Sequence, residues 1–338
     1  MKIESVYYEI TNICNLNCKT CYNRSGQNKK QVEIPIDSIF DSINMFRKYG
    51  AKSVHLSGGE PMLYTDIGLL FDGVYRHPDL PFMISTNCTV KSDYLIESYK
   101  TIKNLFLQIS LDGASEKANQ RTRGEGNFNG PIRVLSALCK SNRPTGYRIK
   151  MVISKYNIDD IPNYYELARE FKCEPKFSFM SPIGNGASNK AEMSLSAEEK
   201  MMALRYIDDC NKKYSMNIQL PFCAFSCPFS KDEEDIVLSC MVKSNGDIMP
   251  CQSLYDEKYK LGNIYSFDAE LMRQNLNYLK RVVEARELED YNCKSCIINP
   301  ICKRGCPAMA LLNSGDILGN DEECSFRLKH YLKYQFRT

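Results

Sequence analysis

Three cysteines near the start of the 338-residue chain have a spacing that suits iron–sulfur chemistry. Cys14, Cys18 and Cys21 form the pattern C-x3-C-x2-C directly after a short apolar segment. Three thiolates on one loop can each bind one iron of a [4Fe–4S] cube, which leaves the fourth iron open to a chelating small molecule. The alternatives are a zinc site, which normally has four protein ligands when it is structural, or three unrelated buried thiols.

A second set of cysteines lies in the last third of the chain. It comprises Cys240-x5-Gly246-x4-Cys251, then Cys293-x2-Cys296-x5-Cys302-x3-Cys306, and finally Cys324, with Cys223 and Cys227 upstream. Taken alone, the first CxxC pair is half of a zinc ribbon, so one or two zinc sites are the alternative to further clusters. A metal of either kind would supply folding free energy to a region with little apolar core.

Polar residues follow the predicted strands where an active site is expected. Ser57-Gly58-Gly59-Glu60-Pro61 ends the second strand, and its glycines permit close backbone approach. Each such group alone is typical of an ordinary strand end, but in parallel α/β folds active sites lie at the carboxyl ends of strands. Ser85 and Asn87 lie at the end of the third strand, and Ser110 and Asp112 at the end of the fourth.

The segments that position these residues alternate between apolar strands and amphipathic helices, which predicts a parallel sheet. We expect an α/β fold, a partial (β/α)6 barrel over residues 1–215, followed by a cysteine-rich α+β extension over 216–338. The segment Ser181 to Lys190 is predicted to be a loop. Predicted strands lie near residues 6–10, 53–57, 82–86, 105–111, 148–153 and 176–180, and helices near 35–49, 66–76, 131–140, 161–171, 196–214 and 268–288. Ser92 is predicted to cap a further helix after the third strand.

Composition excludes several classes of protein. The net charge of +3 is too small to indicate nucleic-acid or membrane partners, and no apolar run reaches the length that spans a bilayer. Without a signal peptide, the chain is expected in the cytoplasm, where 16 cysteines favour metal binding and little exposure to oxygen. With three histidines and no evident partner for them, acid–base catalysis centred on histidine is not expected.

The N-terminal motifs resemble those of the radical S-adenosylmethionine (SAM) superfamily. The cysteine loop is similar to the defining loop of that family, and Gly58 to Pro61 is similar to its GGEP motif. The resemblance implies that SAM chelates the open iron through its amino and carboxylate groups and is cleaved to a 5′-deoxyadenosyl radical. It implies contacts to SAM or substrate from Gly58, Gly59, Glu60, Pro61, Ser85, Asn87, Ser110, Asp112 and Arg123. Asn119 and Gln120 depart from the His-Asp found in many relatives.

The C-terminal cysteines resemble the SPASM extension of that family, which implies two auxiliary [4Fe–4S] clusters and three clusters in all. Cys227 is preferred to Cys223 as a fourth inner ligand; if neither binds, the open iron could coordinate substrate. If Cys227 binds, Cys223 is free to donate a hydrogen atom or hold substrate, so both are candidate catalytic thiols. The implied ligands are Cys293, Cys296, Cys302 and Cys324 for the outer cluster and Cys240, Cys251 and Cys306 for the inner one.

The resemblance favours an oxidoreductase that matures a ribosomally made peptide by installing a thioether or a carbon–carbon cross-link. The alternatives are formylglycine formation, as in anaerobic sulfatase maturases, and peptide epimerisation. Gln252 disfavours the first, because those relatives have Asp after the equivalent of Cys251. Because the motif begins at Cys14, either a separate leader-recognition protein or a direct contact with the leader is expected, and a flavodoxin or ferredoxin should donate electrons. A plain electron carrier or a zinc-dependent interaction module is the alternative from another class.

Overall fold

The molecule is organised around one nine-stranded sheet in the computed structural model, which describes residues 1–28, 30–143, 145–221, 229, 236–289 and 291–334. The order of the strands is β6-β5-β4-β3-β2-β1-β7-β8-β9. The strands are β1 (Lys2–Thr11), β2 (Ser53–Gly58), β3 (Phe82–Thr86), β4 (Leu105–Ser110), β5 (Tyr147–Ile153), β6 (Glu174–Phe179), β7 (Val237–Val242), β8 (Asp247–Met249) and β9 (Gly262–Asn263).

Helices connect the first six strands and dominate the C-terminal part. Those of the first part are α1 (Ile36–Lys48), α2 (Ile67–Tyr75), α3 (Ser92–Thr101), α4 (Glu116–Arg123), α5 (Asn129–Cys139), α6 (Ile161–Glu170), α7 (Asn185–Ser188), α8 (Lys190–Met193) and α9 (Ala197–Tyr214). Those of the second are α10 (Ala269–Glu289), α11 (Tyr291–Lys294), α12 (Asn299–Cys302), α13 (Pro307–Ser314) and α14 (Cys324–Tyr334). None of these described helices is long and apolar enough to cross a membrane.

Strands β1 to β6 pair in parallel in chain order, and the sheet does not close. Alternate residues of each strand point to opposite faces. In β5, Tyr147, Ile149, Met151 and Ile153 are buried, whereas the residues between them are half-buried. The half-buried face lines the inside of the open barrel, which we call the lumen. The predicted partial (β/α)6 barrel is confirmed.

Three local predictions were wrong. Ser92 is the first residue of α3 rather than its cap; the cap is Lys91, in the left-handed region. Residues 181–190, predicted as a loop, contain α7 and the start of α8. Helix α4 was missed because its sequence, EKANQRTR, has almost no apolar residues to reveal a helical period, although Ser115 caps it.

The C-terminal part is joined to the barrel through the sheet. Strand β7 pairs in parallel with β1, from Lys2 opposite Val237 to Tyr8 opposite Val242. Strands β8 and β9 then continue the sheet with antiparallel pairing. Helices α10 to α14 follow, so this region is α+β, as predicted.

Candidate active site

The loop after β1 carries Cys14, Cys18 and Cys21, all as free thiols. The Leu16 N–H donates to Cys14 Sγ at 3.4 Å, and the Asn87 amide lies 3.9 Å from the same sulfur. Burial, with smaller contributions from neighbouring thiols, raises the pKa of Cys14 to about 12 and that of Cys18 to about 11. Such thiols lose their protons when a metal centre binds them.

Two glycines at the end of β2 hold this loop in place. A Cβ on Gly59 would lie 1.9 Å from the Ile13 carbonyl oxygen and 2.9 Å from the Cys14 nitrogen. Gly58 has a φ of +133°, and a Cβ there would lie 2.2 Å from the Thr11 oxygen. The Gly59 N–H donates to Thr11 O at 2.7 Å. Only glycine allows this approach, so Gly58 and Gly59 fix the backbone that carries Cys14.

Glu60 ties this backbone to the next strand. Its buried carboxylate accepts hydrogen bonds from Met62 N at 3.0 Å, Thr86 Oγ1 at 2.6 Å and Asn87 N at 2.7 Å. Burial raises the pKa of Glu60, and these hydrogen bonds oppose the rise. The carboxylate therefore joins the ends of β2 and β3 just behind the loop, with Pro61 starting the next turn.

A buried ion pair lies on the other side of the loop. Asp112 Oδ2 is 3.0 Å from Arg123 Nε, and Asp112 Oδ1 accepts a hydrogen bond from Val152 N at 2.8 Å. Arg123 Nη1 lies 4.0 Å from Cys18 Sγ, and this cation opposes the rise in the pKa of Cys18. A guanidinium fixed beside the cysteine loop suits an anionic cluster or a carboxylate of its chelator. Asn119 also contributes, because its Oδ1 accepts a hydrogen bond from Asp112 N at 3.0 Å.

The residues between β6 and α9 support the back of the cysteine loop. The Asn185 N–H donates to Cys21 O at 2.8 Å, and the Asn185 side-chain amide donates to Cys18 O at 2.9 Å. A Cβ on Gly184 would lie 2.2 Å from Tyr22 O. The sequence did not reveal this support of the cysteine loop, because the contact joins residues more than 160 positions apart.

A cavity of about 410 Å³ occupies the lumen next to the loop. Ser85 belongs to this polar interior, since its hydroxyl lies 2.7 Å from both His55 Nε2 and Gln108 Nε2. Burial lowers the pKa of His55 to about 3, with Lys150 and Arg148 adding to the effect. Ser110 lies beside Lys150 in register. The polar lining comprises Tyr7, Thr20, Tyr22, His55, Gln108, Arg148, Lys150, Lys176, Ser178, Ser181, Gln252 and Ser253.

Tyrosines connect this loop with the segment that follows Cys251. Tyr22 OH donates to Tyr7 OH at 3.3 Å, and Tyr255 OH lies 2.6 Å from Glu9 Oε1. Asn23 also donates to Glu9. Burial raises the pKa of Glu9, against which these two hydrogen bonds act. The N-terminal loop and the start of the C-terminal region thus share one buried polar network.

The four cysteines predicted to bind the outer auxiliary cluster surround one cavity. It has a volume of about 180 Å³ and is lined by Cys293, Cys296, Cys302 and Cys324. Cys293 lies in α11, Cys296 in the link that follows it, Cys302 at the end of α12 and Cys324 at the start of α14. The donor set and the space fit a cluster held by four thiolates.

The inner set is only partly brought together. Burial raises the pKa of Cys251 to about 11, and the nearby Cys306 adds to this rise. Cys240 is fully buried in β7, and β8, which pairs with β7, ends at Met249, just before Cys251. Cys223 and Cys227 lie outside the described residues. Among the residues described, no three His, Cys, Asp or Glu side chains converge on a single metal ion; a cubane binds each thiolate through a different iron.

A buried ion pair separates the two C-terminal sets. Arg327 donates to both carboxylate oxygens of Asp321, with Nη1 at 2.6 Å from Oδ2. Arg327 Nε lies 3.2 Å from Cys302 Sγ, and Asp321 Oδ2 accepts from Cys306 N at 2.9 Å. One charged pair therefore contacts a cysteine of the outer set and one of the inner set.

Comparison with known proteins identifies the family. Residues 8–168 match the family model of the Radical SAM superfamily. Residues 8–168 therefore belong to the radical SAM superfamily. The chain is a SAM-dependent enzyme that uses an iron–sulfur cluster, and its Cys14–Cys18–Cys21 loop lies within the matched residues.

Radical SAM relatives match over most of the chain. The mycofactocin maturase MftC of Mycolicibacterium smegmatis is 24% identical over 94% of this chain and 81% of its own length. The AdoMet-dependent heme synthase of Methanosarcina barkeri is 24% identical over 95% of this chain and 96% of its own. The crystal structure of Streptococcus suis SuiB bound to S-adenosylmethionine superposes with a TM-score of 0.77 at 18% identity, covering 95% of this chain and 76% of SuiB.

Proposed function

We propose that this chain is a radical SAM maturase that installs an oxidative cross-link, a thioether or a carbon–carbon bond, in a ribosomally made peptide. The observation that carries the proposal is a pair of adjoining cavities. The lumen cavity reaches the cysteine loop at Thr20 and Tyr22, and a second cavity of about 360 Å³ reaches Cys306. Both are lined by Lys176, Phe177, Ser178, Phe179, Ser181 and Ser253.

The shared wall suits a substrate longer than one residue. An extended segment would contact the N-terminal cysteine loop at one end and the inner cysteines at the other. The names of two relatives agree with a peptide: MftC is a maturase, and SuiB has been solved bound to its precursor peptide SuiA, with a TM-score of 0.76 to this chain.

The site assignments follow from the same proposal. Cys14, Cys18 and Cys21 would hold the catalytic cluster. Asn87 and Arg123, which lie near the sulfurs of Cys14 and Cys18, would contact SAM. The C-terminal cysteines would hold two auxiliary [4Fe–4S] clusters, with Cys227 as the fourth inner ligand and Cys223 as a free thiol. The region from residue 216 onward would be the SPASM domain, and a flavodoxin or ferredoxin would supply electrons.

With cluster and SAM bound, a 5′-deoxyadenosyl radical would take one hydrogen atom from the peptide and become 5′-deoxyadenosine. An oxidative cross-link also releases a proton and one electron. The protein's part is to position the peptide and exclude water, and an auxiliary cluster near Cys306 would accept the electron. Glu9 is a nearby carboxylate that could receive the proton through Tyr255 or Tyr22.

The test uses enzyme reconstituted without oxygen, with dithionite, SAM and peptides encoded beside its gene. The expected product has lost two hydrogen atoms per 5′-deoxyadenosine formed, measured by mass spectrometry. Formylglycine would be recognised by conversion of a Cys or Ser side chain to an aldehyde. Epimerisation would give an unchanged mass in water and uptake of one deuterium in D2O. Heme formed from an iron porphyrin, with no peptide altered, would contradict the proposal.

A further inference from the structure

The lumen contains three cations on neighbouring strands. Arg148 and Lys150 lie on β5 with their side chains in the lumen, and Lys176 lies beside Lys150 on β6. Arg148 Nε donates to Gln108 Oε1 at 2.9 Å, and Lys176 Nζ donates to Gln219 Oε1 at 2.9 Å. These partners are neutral amides, so neither hydrogen bond neutralises the charge.

No carboxylate of the described chain lines this cavity. The acids that act on the cations at longer range lie elsewhere: Glu174 is exposed at the start of β6, and Asp112 is paired with Arg123. Burial lowers the pKa of Lys150, and the charges of Arg148 and Lys176 lower it further. Like charges held together in a partly buried site are stabilised when an anion binds between them.

The cations lie below the site of the cluster. Lys150 is three residues and Arg148 five residues before the end of β5, which is roughly 10 Å and 17 Å along the strand. Arg123 lies closer to the cluster site, with its Nη1 at 4.0 Å from Cys18 Sγ. A carboxylate of SAM on the loop would therefore meet Arg123, and the deeper cations are available to the substrate.

We propose that Arg148, Lys150 and Lys176 form a binding site for a carboxylate of the substrate peptide. This inference rests on the proposed peptide maturase and specifies its substrate. The carboxylate would come from an Asp or Glu side chain or from the C-terminus of the peptide. Held in the lumen, it would fix which neighbouring carbon faces the radical, because a buried charged pair fixes register more strongly than apolar contacts do.

The test measures the binding of peptide mixtures to the reconstituted enzyme with SAM, by equilibrium dialysis and mass spectrometry. The first mixture consists of N-acetylated, C-amidated pentapeptides with Glu at the centre and uncharged residues elsewhere. The second has Gln at the centre. The third has Gln at the centre and a free C-terminal carboxylate. We expect the first or third mixture to bind about tenfold more tightly than the second, and which of them does so identifies the source of the carboxylate.

Two variants connect the preference with the lumen. Arg148→Met with Lys150→Met should reduce the preference to below about twofold, and Lys150→Gln alone should reduce it in part. Lys103→Met removes the same charge from an exposed position before β4 and should leave the preference unchanged. Equal binding of all three mixtures by the unaltered enzyme would overturn the carboxylate site and leave peptide modification standing. Binding of none would contradict the peptide substrate itself.

Discussion

The two cysteine-rich regions of this enzyme are built in opposite ways. The N-terminal cysteines lie on one loop that backbone contacts hold from both sides, through Gly59 in front and Asn185 behind. The C-terminal cysteines around the cavity of about 180 Å³ come from α11, α12, the link between them and the start of α14, and a buried ion pair lies beside Cys302. Among the described residues, the apolar cluster beside them has Ile298 and Cys302 as its buried members.

The difference shows what each region needs from a cluster. On the proposed assignment, the barrel would form its loop first and then bind a cluster that keeps one iron open for chemistry. The C-terminal region would gain part of its folding free energy from metal binding. We therefore expect changes in the first region to affect chemistry before stability, and changes in the second to affect stability and metal content first.

Exchange of single cysteines should separate the two regions most clearly. Cys14→Ala should reduce 5′-deoxyadenosine formation below detection, because the remaining two thiolates cannot hold the cluster that binds SAM. About eight of about twelve irons should stay bound. Cys293→Ala with Cys296→Ala should do the reverse, leaving cleavage of SAM while iron and thermal stability fall. Chromatography of the nucleoside and iron analysis check both, and cleavage by the Cys14 variant would contradict the assignment.

Breaking the C-terminal ion pair should have the next largest effect, which is a loss of stability. Arg327→Met leaves Asp321 buried without its partner, which should lower the free energy of unfolding by about 3–5 kcal/mol. Arg327→Met with Asp321→Leu should restore part of that loss. Arg133→Met, which breaks an exposed pair with Asp93, should change it by less than about 1 kcal/mol. Chemical denaturation under nitrogen measures all three, and equal effects of the two single variants would show that burial is irrelevant here.

A methyl group on Gly59 should disturb the N-terminal loop. Because its Cβ would meet backbone atoms of Ile13 and Cys14, Gly59→Ala should lower stability by about 1–3 kcal/mol and reduce the iron of the catalytic cluster. Gly68→Ala is the matched control: its Cβ comes no closer than 3.6 Å to any atom, and helix α2 should gain up to about 1 kcal/mol. Iron content and melting temperature are the measurements, and normal iron in Gly59→Ala would show that the loop adapts.

The smallest expected effect is a dependence on pH. Folded His55 stays neutral down to a pKa of about 3, whereas unfolded His55 binds a proton near pH 6.5. The unfolded state therefore binds more protons below pH 6.5, and stability falls as the pH falls from 7 to 5. His55 should account for about 1–2 kcal/mol of this loss of stability. His55→Asn should remove that share of the difference between denaturation at pH 7 and pH 5; an unchanged difference would contradict the lowered pKa. The same difference in stability, measured for His330→Asn, compares the C-terminal region with the barrel.

Much of the barrel could be predicted from the sequence, because its strands are apolar and its helices amphipathic. The loop cysteines were also predictable, since their spacing is local. The residues that support the loop could not be predicted. Asn185 is distant in sequence from Cys18, which it contacts, and helix α4 lacks the apolar periodicity that reveals a helix. The lumen cations did leave a signal, because Arg148 and Lys150 alternate with Ile149 and Met151 in a strand. A polar alternation inside a predicted parallel barrel marks the residues that face its interior.

The parallel pairing of β7 with β1 has a consequence during synthesis. Strand β1, the first of the barrel, pairs with β7, which lies more than 230 residues further along the chain. Until that partner emerges from the ribosome, β1 is an open edge with unpaired N–H and C=O groups from Lys2 to Tyr8, which is a template for association with another chain. A fragment that ends at residue 215 should therefore aggregate more readily than the whole enzyme, and co-expression of the missing segment should rescue it.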